Sequence, residues 1–153
     1  MSEATSGAGA GYVPAELYTE VQQFYARQMN LLEGPAADPD AWARTFTEDA
    51  VFATAGEPEP PAGRENLRDT VRAGVEHIAA QGLDFRHWFG MVGVERRPDD
   101  TLRTRYYALA MATARGGPLK VRGSMLCHDE LVRGDDGRLL VRRRSLDADG
   151  RER

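Results

Sequence analysis

A histidine inside an aromatic stretch is the feature of the sequence best suited to chemistry. His87 stands between Phe85 and Phe89, and Met91 follows two residues later. Alternate side chains of a β-strand lie on the same face, so these four residues would share one side of a strand. An imidazole changes charge near neutral pH, and the phenyl rings and thioether would surround it with apolar groups. The pattern predicts the wall of an apolar pocket that contains one proton-transfer group.

Three helical segments precede most of this strand region. After Pro14, side chains recur at helical spacing until Gly34-Pro35 ends the first helix. The recurring positions are Leu17, Val21, Phe24, Gln28 and Leu31. Gln28 interrupts an apolar stripe, so it faces either a cavity or the polar edge of the helix. Asp38-Pro39-Asp40 predicts a short, capped second helix, and a third is expected over 64–80.

Strand patterns dominate the rest of the chain. A turn at 47–49 and a short strand at 50–54 are expected between the second and third helices. Four long strands follow, separated by Gly, Pro and Asp turns, at 84–96, 102–115, 119–133 and 138–146. This order predicts an α+β fold in which three N-terminal helices pack on a curved, mainly antiparallel sheet. Alternation places Ser124, Leu126 and His128 on one face, and places Arg142 and Arg144 together on one face.

Length and composition favour one globular domain. The 153 residues suffice for a single core, which we expect over 14–147. Residues 1–13, rich in Gly, Ala and Ser, predict a disordered leader, and 148–153 a polar tail. The single cysteine, Cys127, cannot form an internal disulfide, and no secretory signal is recognisable, so a cytoplasmic location is expected.

Charge and motif content exclude several classes of function. A net charge of −4 argues against nucleic acid as a partner, and no apolar run predicts a membrane span. The three histidines lack the paired spacing of zinc ligands, so no metal site is predicted. A glycine-rich phosphate loop and a nucleophile elbow are also absent from the sequence. What remains is a cofactor-independent reaction on a small apolar or aromatic substrate.

Several phrases, in their order along the chain, resemble the NTF2-like superfamily, and in particular its SnoaL-like and scytalone dehydratase-like branch. The similarity covers roughly 14–146. The phrases are Phe24-Tyr25-Ala26-Arg27-Gln28-Met29, Ala41-Trp42-Ala43, Phe46-Thr47-Glu48-Asp49-Ala50-Val51-Phe52, Gly63-Arg64-Glu65 and Arg86-His87-Trp88. The resemblance implies a cone-shaped, cystatin-like fold whose sheet wraps a deep apolar pocket, and it implies a homodimer. The outer sheet face that would form the dimer is expected to carry Trp88, Val92 and Val94.

The resemblance also implies a site. Scytalone dehydratase-like proteins pair an acid at the end of the first helix with a histidine entering the first long strand, and Glu33 and His87 match these positions. The family's second histidine has no counterpart, because Tyr106 and Tyr107 occupy that region; this departure argues against scytalone-type dehydration. A serine that contacts substrate is matched by Ser124.

The combined expectation is a cyclase, dehydratase or isomerase of aromatic polyketide (antibiotic) biosynthesis. His87 would move a proton next to a carbonyl, Glu33 would orient the imidazole, and a tyrosine with Ser124 would hold the carbonyl oxygen. Other substrate contacts are expected from Gln28, Phe85, Phe89, Met91 and Leu126. Epoxide opening is an open alternative for the reaction. A non-catalytic binding or accessory subunit, like the small subunits of ring-hydroxylating dioxygenases, is the alternative for the function.

Overall fold

The computed structural model describes residues 11–152. The expected disordered leader therefore lies almost entirely outside the described residues. In the described part, each helix begins where the sequence offers a suitable first turn. Pro14 precedes α1 (Ala15–Asn30), and the Asp38 carboxylate accepts from the Ala41 N–H at the start of α2 (Pro39–Ala43). Gly63, with φ +90°, precedes α3 (Arg64–Ala80).

Five strands form one sheet. They are β1 (Phe46–Thr54), β2 (Leu83–Arg96), β3 (Leu102–Ala114), β4 (Leu119–Arg133) and β5 (Leu139–Ala148). Their order across the sheet is β1-β5-β4-β3-β2. All neighbours are antiparallel except β1 and β5, which run parallel. The expected α+β class and mainly antiparallel sheet are confirmed.

Two expectations about the elements were wrong. The description of three N-terminal helices does not hold, because β1, at the place of the strand expected over 50–54, separates α3 from α1 and α2. The segment 47–49 is not a turn, because β1 already begins at Phe46. The register of β1 against β5 shifts between Phe46 and Val51, so 47–49 forms an irregular part of the strand.

A β-bulge in β2 reverses the expected side-chain directions. The register with β3 shifts between Gly90 and Gly93, and Met91 adopts φ +52°. Beyond this point Met91 points outward, with 80% of its surface exposed, whereas Val92 is buried at 6%. Val94 packs against the core as well. The prediction that Val92 and Val94 lie on the outer face was therefore wrong, because one inserted residue exchanges the two faces.

A second bulge in β5 has the same effect on the arginines. Arg143 pairs with Glu130 and Val141 pairs with Leu131, so Arg142 is the extra residue. Arg142 forms an ion pair with the partly exposed Glu130, while Arg144 is buried. The expectation that Arg142 and Arg144 share a face was wrong for this reason.

The core lies between the helices and the concave face of the sheet. Val21 and Tyr25 of α1, Trp42 of α2 and Phe46 of β1 are almost fully buried and belong to one apolar cluster. None of the helices within 11–152 combines the length and the apolar character needed to cross a membrane.

Candidate active site

A cavity of about 350 Å³ lies between α3 and the concave face of the sheet. Its walls are almost entirely apolar side chains. Val71, Val75 and Ile78 of α3 form one wall, and Phe85 and Phe89 of β2 contribute to the opposite one. A cavity of this size, mostly apolar and with few polar groups, is typical of a small-molecule site.

His87 and Glu33 meet at this cavity. Glu33 Oε1 accepts a hydrogen bond from the His87 backbone N–H and lies 3.2 Å from His87 Nδ1. The glutamate side chain is 13% exposed and the histidine side chain 30%. A carboxylate beside Nδ1 favours the tautomer protonated there, so Nε2 is the nitrogen free to accept a proton. His87 lines the cavity, which places an oriented imidazole in an apolar chamber.

The end of α1 positions Glu33. The helix finishes at Asn30, and Gly34 adopts φ +73° in the turn that follows. Two backbone hydrogen bonds close this turn, from Asp38 N–H to Leu31 O at 2.8 Å and from Ala37 N–H to Gly34 O at 3.1 Å. The short connection between α1 and α2 thus holds the carboxylate against the first residues of β2.

The aromatic residues around His87 line the cavity, as the sequence predicted, but Met91 does not. Phe85 and Phe89 line the cavity with His87, and the Phe85 and His87 rings are 5.0 Å apart. Met91 was expected to join them, but the bulge turns it outward.

The predicted contacts from β4 face away from the cavity. Ser124 is exposed and donates to the Asp149 carboxylate, and Leu126 is absent from the cavity wall. The residues beside them, Met125 and Cys127, line the cavity instead. Alternation grouped Ser124 and Leu126 correctly but did not indicate which face of β4 was the inner one.

The two tyrosines, left undecided by the sequence, face opposite sides of β3. Tyr106 is fully buried and its ring stacks on Phe89 with centroids 4.4 Å apart. Its hydroxyl donates to Asp129 Oδ1 at 3.0 Å, so it is not free to hold a substrate oxygen. Tyr107 is 48% exposed on the outer face, with the Arg105 guanidinium over its ring.

Gln28 belongs to a buried polar network rather than to the cavity wall. Its side chain is fully buried, its Nε2 donates to Thr45 Oγ1 at 2.7 Å, and its Oε1 accepts from Arg144 Nη2 at 2.8 Å. Arg144 also forms a bidentate pair with Asp129, at 2.9 Å from Nε and 2.8 Å from Nη2. The Tyr25 hydroxyl donates to the same carboxylate at 2.8 Å. This network ties α1 to β4 and β5.

Burial determines the protonation of the other groups near the cavity. It raises the pKa of the Tyr25 and Tyr106 hydroxyls well above their usual value, so both remain donors. Burial also raises the pKa of Cys127 to about 12, so its thiol is not a ready nucleophile. For Arg144, burial lowers the pKa, but interactions with Asp129, Tyr106 and Tyr25 together raise it by more, so the guanidinium remains charged.

Arg144 and Trp42 are site residues that the sequence analysis missed. Both line the cavity. The signal for Arg144 was available on β4, where Cys127, Asp129 and Leu131 alternate on one face. A carboxylate in such a row requires a buried cation. No such signal existed for Trp42.

The chain is similar to known proteins both in sequence and in fold. The model of the SnoaL-like domain matches residues 14–145. The chain belongs to the SnoaL-like family. This is a polyketide-related enzyme family. No curated protein shows significant sequence similarity to the chain.

Three solved structures are similar in sequence as well as in fold. Aln2 from a Streptomyces species is 37% identical, with a TM-score of 0.80, over 90% of this chain and 94% of Aln2. ActVI-ORFA from Streptomyces coelicolor is 32% identical, with a TM-score of 0.78, over 88% of this chain and 98% of its own. A Catenulispora acidiphila protein in complex with S-DNPA is 38% identical, with a TM-score of 0.73, over 89% of this chain and 96% of its own. Proteins only 20% identical share the NTF2-like, cystatin-like fold.

Proposed function

We propose that this SnoaL-like protein is a cofactor-independent cyclase, dehydratase or isomerase acting on an aromatic polyketide-type substrate. His87 Nε2 removes a proton from a carbon next to a carbonyl and returns it elsewhere on the substrate. Glu33 holds the imidazole by Nδ1 and stabilises the imidazolium that forms. The phenyl rings of Phe85 and Phe89 provide an apolar wall for the substrate rings.

The observation that supports this proposal is the contact between Glu33 and His87 at the wall of the cavity. A carboxylate directed at one imidazole nitrogen, with the other nitrogen free, is the arrangement that a general base requires. Among residues 11–152 no cluster of three metal-ligating side chains occurs. The protonated Cys127 does not offer a competing nucleophile in the cavity. The S-DNPA complex of the 38% identical relative adds that a similar protein accommodates a small molecule.

The deciding experiment compares His87→Ala with the wild type on the physiological substrate. Removing a general base is expected to lower kcat by about 10²–10⁴-fold while circular dichroism shows an unchanged fold. His77, an exposed histidine on α3, provides the control: His77→Ala should retain full activity. Full turnover by folded His87→Ala would refute the role of His87.

We also propose that the protein is a homodimer formed through the outer face of β2–β4. Large apolar side chains are exposed there, and a monomer rarely leaves such a patch in water. They are Trp88, Met91, Tyr107, Leu119 and Val121. This set replaces the Val92 and Val94 expected from the sequence. A monomer measured by light scattering at micromolar concentration would contradict the proposal.

A further inference from the structure

The residues expected to hold the substrate's carbonyl oxygen do not reach the cavity as free donors. Ser124 and Tyr107 lie on the outer face, and the Tyr106 hydroxyl is bonded to Asp129. A proton abstraction next to a carbonyl nevertheless requires a donor at the oxygen where negative charge develops. The donor must therefore come from another part of the cavity wall.

Arg144 lies at the cavity and has an N–H group available to donate to the substrate oxygen. It lines the cavity and retains 3% exposure. Its hydrogen bonds to Asp129 and Gln28 leave from Nε and Nη2, so Nη1 donates to no residue within 11–152. The guanidinium is also fixed in place, because the bidentate pair and the Gln28 contact hold its plane.

A second donor lies near the same position. Trp42 also lines the cavity, is only 2% exposed, and its indole Nε1 has no acceptor in the described part of the chain. Trp42 and Arg144 both contact Phe46: the indole and phenyl centroids are 4.6 Å apart, and Arg144 Cζ is 5.4 Å from the phenyl centroid. An unsatisfied buried donor is costly, so the Trp42 indole beside a guanidinium nitrogen with no protein acceptor indicates that a ligand supplies the acceptor.

The distance from His87 suits an aromatic substrate. Phe89 follows His87 on the same strand face, about 7 Å further along the strand. The Phe89 ring lies 5.4 Å from Arg144 Cζ. A fused-ring compound lying on Phe89 would thus extend between the imidazole and the guanidinium.

The net charge of the Arg144–Asp129 pair favours a neutral carbonyl oxygen over a carboxylate as the group bound at Nη1. Asp129 already neutralises Arg144, and the side chains of this pair are 0% and 3% exposed. A substrate carboxylate at Nη1 would be a second buried anion without its own cation, which is unfavourable in an apolar cavity. A neutral carbonyl oxygen accepts the same hydrogen bond without that cost, and the bond strengthens as charge develops on the oxygen.

We infer that Arg144, through Nη1, is the specificity-determining residue that binds a neutral carbonyl oxygen of an aromatic substrate, with the Trp42 indole beside it. The inference rests on the proposed function only for the catalytic role of that oxygen, on which the negative charge of an enolate would develop. The binding preference itself requires no turnover and can be tested separately.

The experiment measures binding of three probes by isothermal titration calorimetry. 1-Acetonaphthone carries a carbonyl, 1-ethylnaphthalene has nearly the same shape without oxygen, and 1-naphthoate carries a charge. A hydrogen bond from a charged donor should make the wild type bind the ketone about tenfold more tightly than the hydrocarbon. Arg144→Lys keeps the cation but removes Nη1, and the preference should fall to about twofold or less. Arg142→Lys on the same strand, outside the cavity, should leave it unchanged.

Each other outcome has a defined meaning. An undiminished ketone preference in Arg144→Lys, or tightest binding of 1-naphthoate, overturns the inference. If the ketone preference is lost in His87→Ala and kept in Arg144→Lys, the ketone oxygen binds to His87, and the inference is overturned as well. If His87→Ala loses turnover but still prefers the ketone to the hydrocarbon, both proposals are supported. If His87→Ala keeps full turnover and the same preference, only the proposed function is refuted.

If Arg144→Lys does not fold, the wild type gives the answer. Arg144 is the one buried arginine within 11–152, so its slowly exchanging guanidinium protons distinguish it in nitrogen-labelled NMR spectra. These resonances should shift on addition of the ketone and not of the hydrocarbon. Equal shifts with both probes would refute the contact.

Discussion

Replacement of Arg144 by methionine should destabilise the fold strongly. The change removes three hydrogen bonds, two of them to Asp129, whose side chain is 0% exposed. The carboxylate keeps only the hydroxyls of Tyr25 and Tyr106 as donors. A buried charge left without its cation costs about 3–5 kcal/mol, a large part of the stability of a domain of this size.

Urea unfolding followed by circular dichroism measures this loss. The matched control is Arg142→Met, which breaks an ion pair with a partner that is 36% exposed and should cost about 0–1 kcal/mol. Adding Asp129→Leu to Arg144→Met should recover part of the loss, because the unpaired charge is removed as well. A loss below about 1 kcal/mol in Arg144→Met would refute the reasoning that the buried Asp129 carboxylate depends on Arg144 as its cation.

Three further outcomes are expected. In Glu33→Gln, kcat should fall because the carboxylate that orients the imidazole and stabilises the imidazolium is gone; an unchanged kcat would show that Glu33 and His87 are not coupled. The raised pKa of Cys127, about 12, keeps the folded thiol protonated while an unfolded thiol ionises near 9. The thiolate fraction at pH 8 is therefore about a thousandfold lower than in the unfolded chain, so alkylation should be much slower, and stability should decline as the pH rises above 9. Trp88→Glu should convert the proposed dimer to a monomer by light scattering, whereas His77→Glu on α3, away from this face, should not.

The helices and strands could be predicted from the sequence because each of them is marked by a local pattern of residues. Turn residues at 98–100, 116–118 and 134–137 separate the strands, and the predicted bounds of the third long strand match β4 at Leu119–Arg133. The pair of His87 and Glu33 could be anticipated from the family's pattern, and the structure brings these two side chains into contact.

What could not be predicted was the direction of side chains beyond a bulge. Simple alternation assigned Met91 to the pocket and Val92 to the surface, and it grouped the buried Arg144 with the exposed Arg142. The bulges at Met91 and Arg142 arise where a strand pairs with the next one along the chain, and no local pattern in the sequence marks them. The inner face of β4 was ambiguous for a related reason, because Leu126 and Met125 are both apolar.

Helix α3 depends on whatever occupies the cavity. Leu67 is the only one of its seventeen residues that is fully buried, and its remaining large apolar side chains, Val71, Val75 and Ile78, face the cavity. A bound aromatic compound would contact these side chains directly and so extend the hydrophobic core. We therefore expect ligand binding and the local folding of this helix to be coupled, so that amide exchange along α3 would report occupancy without any chemistry taking place.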